Sequence, residues 1–274
     1  MSRTWTTTDP DKVTNFARTP AEHQEFLMFG AAVAGKDARF TSKQLGRAWS
    51  SLRYQETKRR TQARMRAEPH IHPRQHFERA AAEVKQLSPY ELVRSARNLE
   101  GTLHRAGATP HTLRAKTFRA LAQRDLAPEK ADFETLASVP GVGSKTAKFY
   151  LTHSRAGERH AVLDTHLLGW MRDHGVRAPR HTPGSPTQYR KLEQQYLALA
   201  DKHVGPGTSC PHCPHAGAAA HADFDLNVWR DRSQRRPRQW RGKTYKADQR
   251  WAQEAVRSVI RGTLITEVVE ALLS

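Results

Sequence analysis

The stretch TLASVPGVGSKTAKFYL, residues 135–151, constrains the fold more than any other part of the chain. Two segments with apolar residues at helical spacing flank Pro140-Gly141-Val142-Gly143, so the chain must leave one helix and enter another within four residues. Two glycines around one apolar residue permit a tight turn and leave amide N–H groups at the start of the second helix, where an anion is favoured. Val142 is expected to fill the space between the two helices. The GxxxxGK[ST] spacing of a nucleotide-binding loop does not occur here. Taken alone, a GxG between helices is more often a plain helical corner than a ligand site.

The rest of the chain follows the same period. Apolar residues recur at three and four and strand-like alternation is almost absent, which predicts an all-α protein. Thr19 and Pro20 open a helix through EHQEFLMFGAAVAG, with Gly35 at its end, and TSKQLGRAWSSL at 41–52 forms a second. Residues 53–79 hold eight Lys/Arg and three Glu, with Pro69, Pro73 and the histidines His70, His72 and His76, read as surface residues or substrate contacts. They read as an irregular basic excursion. Ser88, Pro89 and Glu91 make a capping-box pattern; helices at 110–124 and 129–138 follow. Asp164 precedes THLLGWM in an N-cap position, Gly175 closes that helix, and a long helix runs through QYRKLEQQYLALADKHVG. HADFDLNVWRDR and an amphipathic segment at 251–273 complete the pattern. Two helical lobes are expected, with the hairpin (about 132–152) at their cleft. One lobe spans 85–200, and the other comprises 18–84 with 201–274.

Lysine and arginine number 45 against 27 acids, a formal charge of +18. Such an excess selects a polyanionic partner, nucleic acid or an anionic surface. The longest nearly apolar run, FLMFGAAVAG at 26–35, is far short of the roughly 20 residues that cross a bilayer, and the N-terminus lacks a signal-peptide core. A cytoplasmic, nucleoid-associated protein without a membrane partner is expected. Only Cys210 and Cys213 occur, so no disulfide framework supports the fold.

VPGVGSKTA together with AVLDTHLLGWM resembles the signature of the helix-hairpin-helix DNA glycosylase superfamily, which includes endonuclease III and 8-oxoguanine glycosylase. Pro140, Gly141, Val142, Gly143, Lys145, Thr146 and Ala147 match its hairpin, and Asp164, Thr165 and His166 match its aspartate segment. The resemblance is specific over about 137–171. It is looser at FLMFGAAVAGKDARFTSKQLGRAW, similar to an early helix and a DNA-wedging loop, and at DFDLNVWRDR, similar to a late helix.

The resemblance implies an enzyme that flips a base out of double-stranded DNA and cleaves its N-glycosidic bond. Positive charge develops on the sugar as that bond lengthens, and the Asp164 carboxylate would stabilise it. From position alone Asp164 is an N-cap, and the two roles can coexist. Lys145 would attack the sugar carbon C1′ and carry Schiff-base lyase chemistry. A free lysine is almost wholly protonated at pH 7, so such an amine needs help in losing its proton. Gly141, Val142, Gly143 and Ser144 would hold a phosphate, with Lys148 as a surface cation beside them. Lys36 and Arg39, in the loop Gly35–Phe40, would enter the duplex. Residues 230–251, with nine Lys/Arg against two Asp and with Trp240, Tyr245 and Trp251 among them, suit a backbone-tracking surface or a solvated linker equally.

Endonuclease III relatives often hold an iron–sulfur cluster with four cysteines, which two cysteines cannot build. No cofactor is expected, although Cys210 and Cys213 form a C-x2-C half-site that zinc could complete with two of His212, His215 and His221. The stretch VAGKDARFTSKQL faintly resembles a branch associated with hypermodified phage pyrimidines, hydroxymethylated or glycosylated. This leaves two rival readings: a transferase acting on such a base, and a non-catalytic DNA-binding module that uses the hairpin alone. Genome maintenance and defence against phage DNA are both open.

Overall fold

The structure is a computed structural model that describes residues 5–33, 36–204 and 218–234. The described residues form eleven α-helices and no strand, as the period of the apolar pattern requires. Gly35, the cysteine segment with Cys210, His212, Cys213 and His215, most of the basic stretch 230–251 and the segment 251–273 lie outside the described residues.

The chain divides into two compact units. One has the bounds Met1–Leu52 and Leu87–Arg236, and the described part of the other is Arg53–Gln86. This differs from the expected lobes. Phe26, Phe29 and Trp49 from the N-terminal helices are buried in one core with Tyr90, Phe118 and Tyr150, so residues 18–52 cannot be separated from the chain after 87.

In the larger unit, α1 (Pro20–Val33) begins as read from the sequence: Glu22 accepts from the Thr19 N–H at 2.8 Å and from its hydroxyl at 2.9 Å. The first part of α2 (Ala38–Ala67) carries Leu45, Trp49 and Leu52 into the core. The short helices α4 (Pro89–Ser95) and α5 (Leu99–Arg105) are capped by Ser88 and Asn98, and Ser88 and Glu91 form the full capping box. Helix α6 (His111–Gln123) packs on both. A second core, separate from the first, is built by α9 (Thr165–Asp173), α10 (Pro186–Val204) and α11 (Ala218–Gln234). Its buried side chains include Leu168, Met171, Tyr189, Leu192 and Tyr196.

The smaller unit corrects the reading of residues 53–79 as irregular. Helix α2 continues unbroken to Ala67, and α3 (Pro73–Lys85) follows after a short turn. Glu56 receives Arg59 and Arg60 one turn away, and Glu83 on α3 receives Arg60 and Arg64, so opposite charges partner much of the basic run along the helices. Both prolines fall where helices tolerate them, Pro69 in the turn and Pro73 at the first position of α3 behind the His72 cap. His76 is not a surface residue: it is buried, with Nε2 3.0 Å from the Glu68 carbonyl oxygen.

Candidate functional site

The hairpin consists of α7 (Phe133–Ala137) and α8 (Ser144–Ser154), which pack on one another across the turn through Gly141. Asp132 caps α7 by accepting from the Thr135 N–H at 2.8 Å. Val142 is 2 % exposed and fills the turn's interior as expected. Gly141 has φ +86°, and a Cβ there would lie 1.9 Å from Thr117 Oγ1 on α6, so both backbone and space demand glycine. Gly143 has an ordinary φ and open space around it. It heads α8 without any side-chain cap, and the N–H groups of Ser144, Lys145 and Thr146 take no acceptor among the described residues. An exposed helix start of this kind can bind a phosphate.

Lys145 lies in the first turn of α8, half-buried, and its ammonium makes no hydrogen bond or ion pair among the described residues. Lys148 corrects the sequence reading. It is 8 % exposed and forms an ion pair with Glu193 of α10 while its Nζ faces the rings of Tyr189 at 4.8 Å and Phe133 at 5.1 Å. A lysine held there is not a surface phosphate contact. It lies three residues from Lys145, on the same side of α8, and links that side to the segment before Asp164.

Asp164 is the N-cap of α9, as its position predicts. Its Oδ1 accepts from the His166 N–H at 2.9 Å and the Leu167 N–H at 2.8 Å. The residue is half-buried, and Oδ2 takes no hydrogen bond among the described residues. Two of the three peptides before it are held by buried side chains. The Ala161 N–H donates to Glu193 at 3.0 Å, and the Leu163 N–H donates to Tyr189 Oη at 3.2 Å. Tyr189 in turn donates to the Ala161 carbonyl at 2.7 Å, and Thr182 donates to the Leu163 carbonyl at 2.8 Å. The Glu193 carboxyl is held below its ordinary range: burial opposes ionisation, but His160, Lys148 and the Ala161 amide outweigh it. The aspartate therefore projects from backbone held at Ala161 and Leu163 by Glu193 and Tyr189.

Glu193, Tyr189, Asp225 and His153 were not picked out from the sequence. The available signal was an acid within an apolar helical stripe: Glu193 falls between Tyr189 and Tyr196 on α10, and Asp225 between Ala222 and Val228 on α11. Period alone treats such an acid as an interruption.

The expected loop Gly35–Phe40 is shorter than read, because α2 already begins at Ala38: Lys36 lies before the helix and is exposed, while Arg39 lies in its first turn and pairs with Asp11 at 2.9 Å with both side chains more than half exposed. An exposed pair of this kind adds little stability. Phe40 and Leu113 are exposed by 55 % and 57 %. They are linked through the chain: Arg114, beside Leu113, is buried and donates to the Ala32 carbonyl near the end of α1, and Gln44, one turn after Phe40, donates to the Gly107 carbonyl before α6. Leu113 drew no notice in the sequence, where it reads as an ordinary helix residue.

Among the described candidates for zinc, His221 is engaged elsewhere, with Nε2 3.0 Å from Asp201. Burial and the nearby Arg159 lower its pKa below the usual histidine value. No group of three or more His, Cys, Asp or Glu among the described residues is arranged to hold a metal ion. No helix among them is long and apolar enough to cross a membrane. Comparison of the chain with family models, with curated proteins and with solved structures found no match.

Proposed function

We propose that the protein is a DNA glycosylase that draws a damaged or modified base out of the duplex and cleaves its N-glycosidic bond, with an associated lyase step. The observation that carries the reading is the division of labour within one carboxylate. Asp164 Oδ1 caps α9, while Oδ2 is left for a cation. As the bond to the base lengthens, charge develops on the sugar and the free oxygen stabilises it. The neutral Lys145 amine attacks C1′, and the bond to the base breaks with its electron pair on the base, which takes up a proton. Loss of the amine proton and opening of the sugar give a Schiff base between Lys145 and C1′. Removal of a C2′ proton then expels the 3′-phosphate by β-elimination. The uncapped start of α8 is the proposed phosphate grip, with Lys36 and Arg39 as further backbone contacts. Phe40 and Leu113, both exposed, would enter the space behind a flipped base.

The test is incubation with duplexes carrying uracil, 8-oxoguanine, thymine glycol, and hydroxymethylated and glucosylated pyrimidines, followed by borohydride. A covalent adduct that vanishes in Lys145→Gln supports glycosylase with lyase. Base release that survives Lys145→Gln and vanishes in Asp164→Asn indicates glycosylase alone. Tight duplex binding without release on any substrate contradicts the reading in favour of a binding module.

A further inference from the structure

We propose that Trp229 is the stacking face for the flipped-out base, and that the enzyme therefore acts on a planar, aromatic base in preference to a ring-saturated one. The inference rests on the glycosylase reading given above. Trp229 lies on α11 beside the first turn of α9. Its ring is 6.1 Å from that of His166, at 74°, and the His166 N–H donates to Asp164 Oδ1 at 2.9 Å. The indole is thus one ring contact away from a residue that orients the site carboxylate.

Core packing does not account for this side chain. Trp5, Trp49 and Trp170 each lie in or against one of the two cores, whereas Trp229 packs in neither among the described residues and stays half-buried. The helix beneath it is nevertheless anchored on both sides of the indole. Before it, Val228 is buried in the second core and Leu226 packs against the first. After it, Arg230 donates to the Asp11 carbonyl at 2.8 Å, and Arg232 pairs with Asp173 across Gly169, where a Cβ would lie 2.6 Å from the Arg232 guanidinium. A partly accessible indole on a fixed helix is already ordered before a flat ring settles on it. A base drawn out of the duplex loses its stacking on both neighbours. An aromatic face restores part of that for any planar base, whatever hydrogen-bonding groups its edge carries. A pyrimidine saturated at C5 and C6, such as thymine glycol, has a puckered ring without a π-face and gains far less.

The test is single-turnover base release by the full chain from duplexes carrying uracil, 8-oxoguanine, hydroxymethylated cytosine or thymine glycol. Wild type is compared with Trp229→Phe and Trp229→Leu, and borohydride trapping on a preformed abasic site is the parallel measurement in which no base is present to stack. The wild type releases a planar base faster than thymine glycol. On that planar base Trp229→Phe stays within about threefold of wild type and Trp229→Leu falls by about tenfold or more, while both variants trap the abasic site at the wild-type rate. Release undiminished in Trp229→Leu overturns the stacking role, and so does an equal loss in trapping, which is what a misplaced α11 would produce. Thymine glycol released at least as fast as every planar base overturns the substrate class alone. A wild-type protein that releases no base from any of the duplexes overturns the glycosylase reading, and this inference with it.

Discussion

Lys148 and Glu193 form a buried ion pair that joins α8, the helix of Lys145, to the peptide three residues before Asp164. Removing one partner leaves an uncompensated buried charge. Lys148→Met and Glu193→Leu are each expected to cost about 3 kcal/mol of unfolding free energy, whereas the double variant costs much less than their sum. Urea denaturation of the four proteins checks this. Single variants as stable as wild type would show that the pair does not hold the segment.

The two hairpin glycines differ in what they tolerate. Gly141→Ala combines a left-handed φ with an overlap at Thr117 Oγ1, and should destabilise by about 2–4 kcal/mol. Gly143→Ala places its methyl in open space and loses only part of a cap, under about 1 kcal/mol. If the α8 amides hold phosphate, Gly143→Ala weakens duplex binding by more than it weakens the fold. Thermal unfolding paired with fluorescence anisotropy on labelled duplex separates the two effects.

Glu25 gives the stability a pH dependence of known sign. Its carboxyl is 1 % exposed, accepting from the Thr8 N–H at 2.9 Å and from Trp49 Nε1 at 3.3 Å. Burial outweighs these bonds and raises its pKa from 4.5 to about 7. The native state therefore favours the protonated form. That contribution is fully present below about pH 4.5 and is lost as pH rises through about 7, a change of roughly 3 kcal/mol. Denaturant midpoints of wild type and Glu25→Gln should converge towards the low end of this window and separate at pH 8, with the variant the more stable. A constant difference across the range would contradict the assignment.

Leu113 lies exposed at the start of α6. Leu113→Ala should leave stability within about 0.5 kcal/mol of wild type. As a wedge behind a flipped base, it should slow processing of a paired target base at least tenfold and that of an unpaired one far less. Single-turnover rates on matched and gapped duplexes measure this, and equal rates for the two proteins on both would remove Leu113 from the DNA surface.

The helices and several of their ends were legible because local chemistry sets them: Thr19, Ser88 and Asp164 cap where the sequence places them. The hairpin turn was legible for the same reason, since Gly141 must take a conformation that other residues resist. What was not legible depends on partners far apart in the chain. Lys148 reads as a surface cation until α10 brings Glu193 to it, 45 positions away. The basic run 53–79 reads as irregular until Glu83 partners Arg60 and Arg64 from the next helix. Asp225 and His153 meet from α11 and α8, and no spacing within either segment announces it.

The central claim is that Lys145 and Asp164 act on the same sugar. Borohydride trapping on a duplex with a preformed abasic site tests it without knowledge of the target base. The wild-type protein is expected to form a covalent adduct, which falls by at least about 100-fold in Lys145→Gln and forms at a reduced rate with unchanged folding in Asp164→Asn. No adduct from the wild-type protein, or one undiminished in Lys145→Gln, would contradict it.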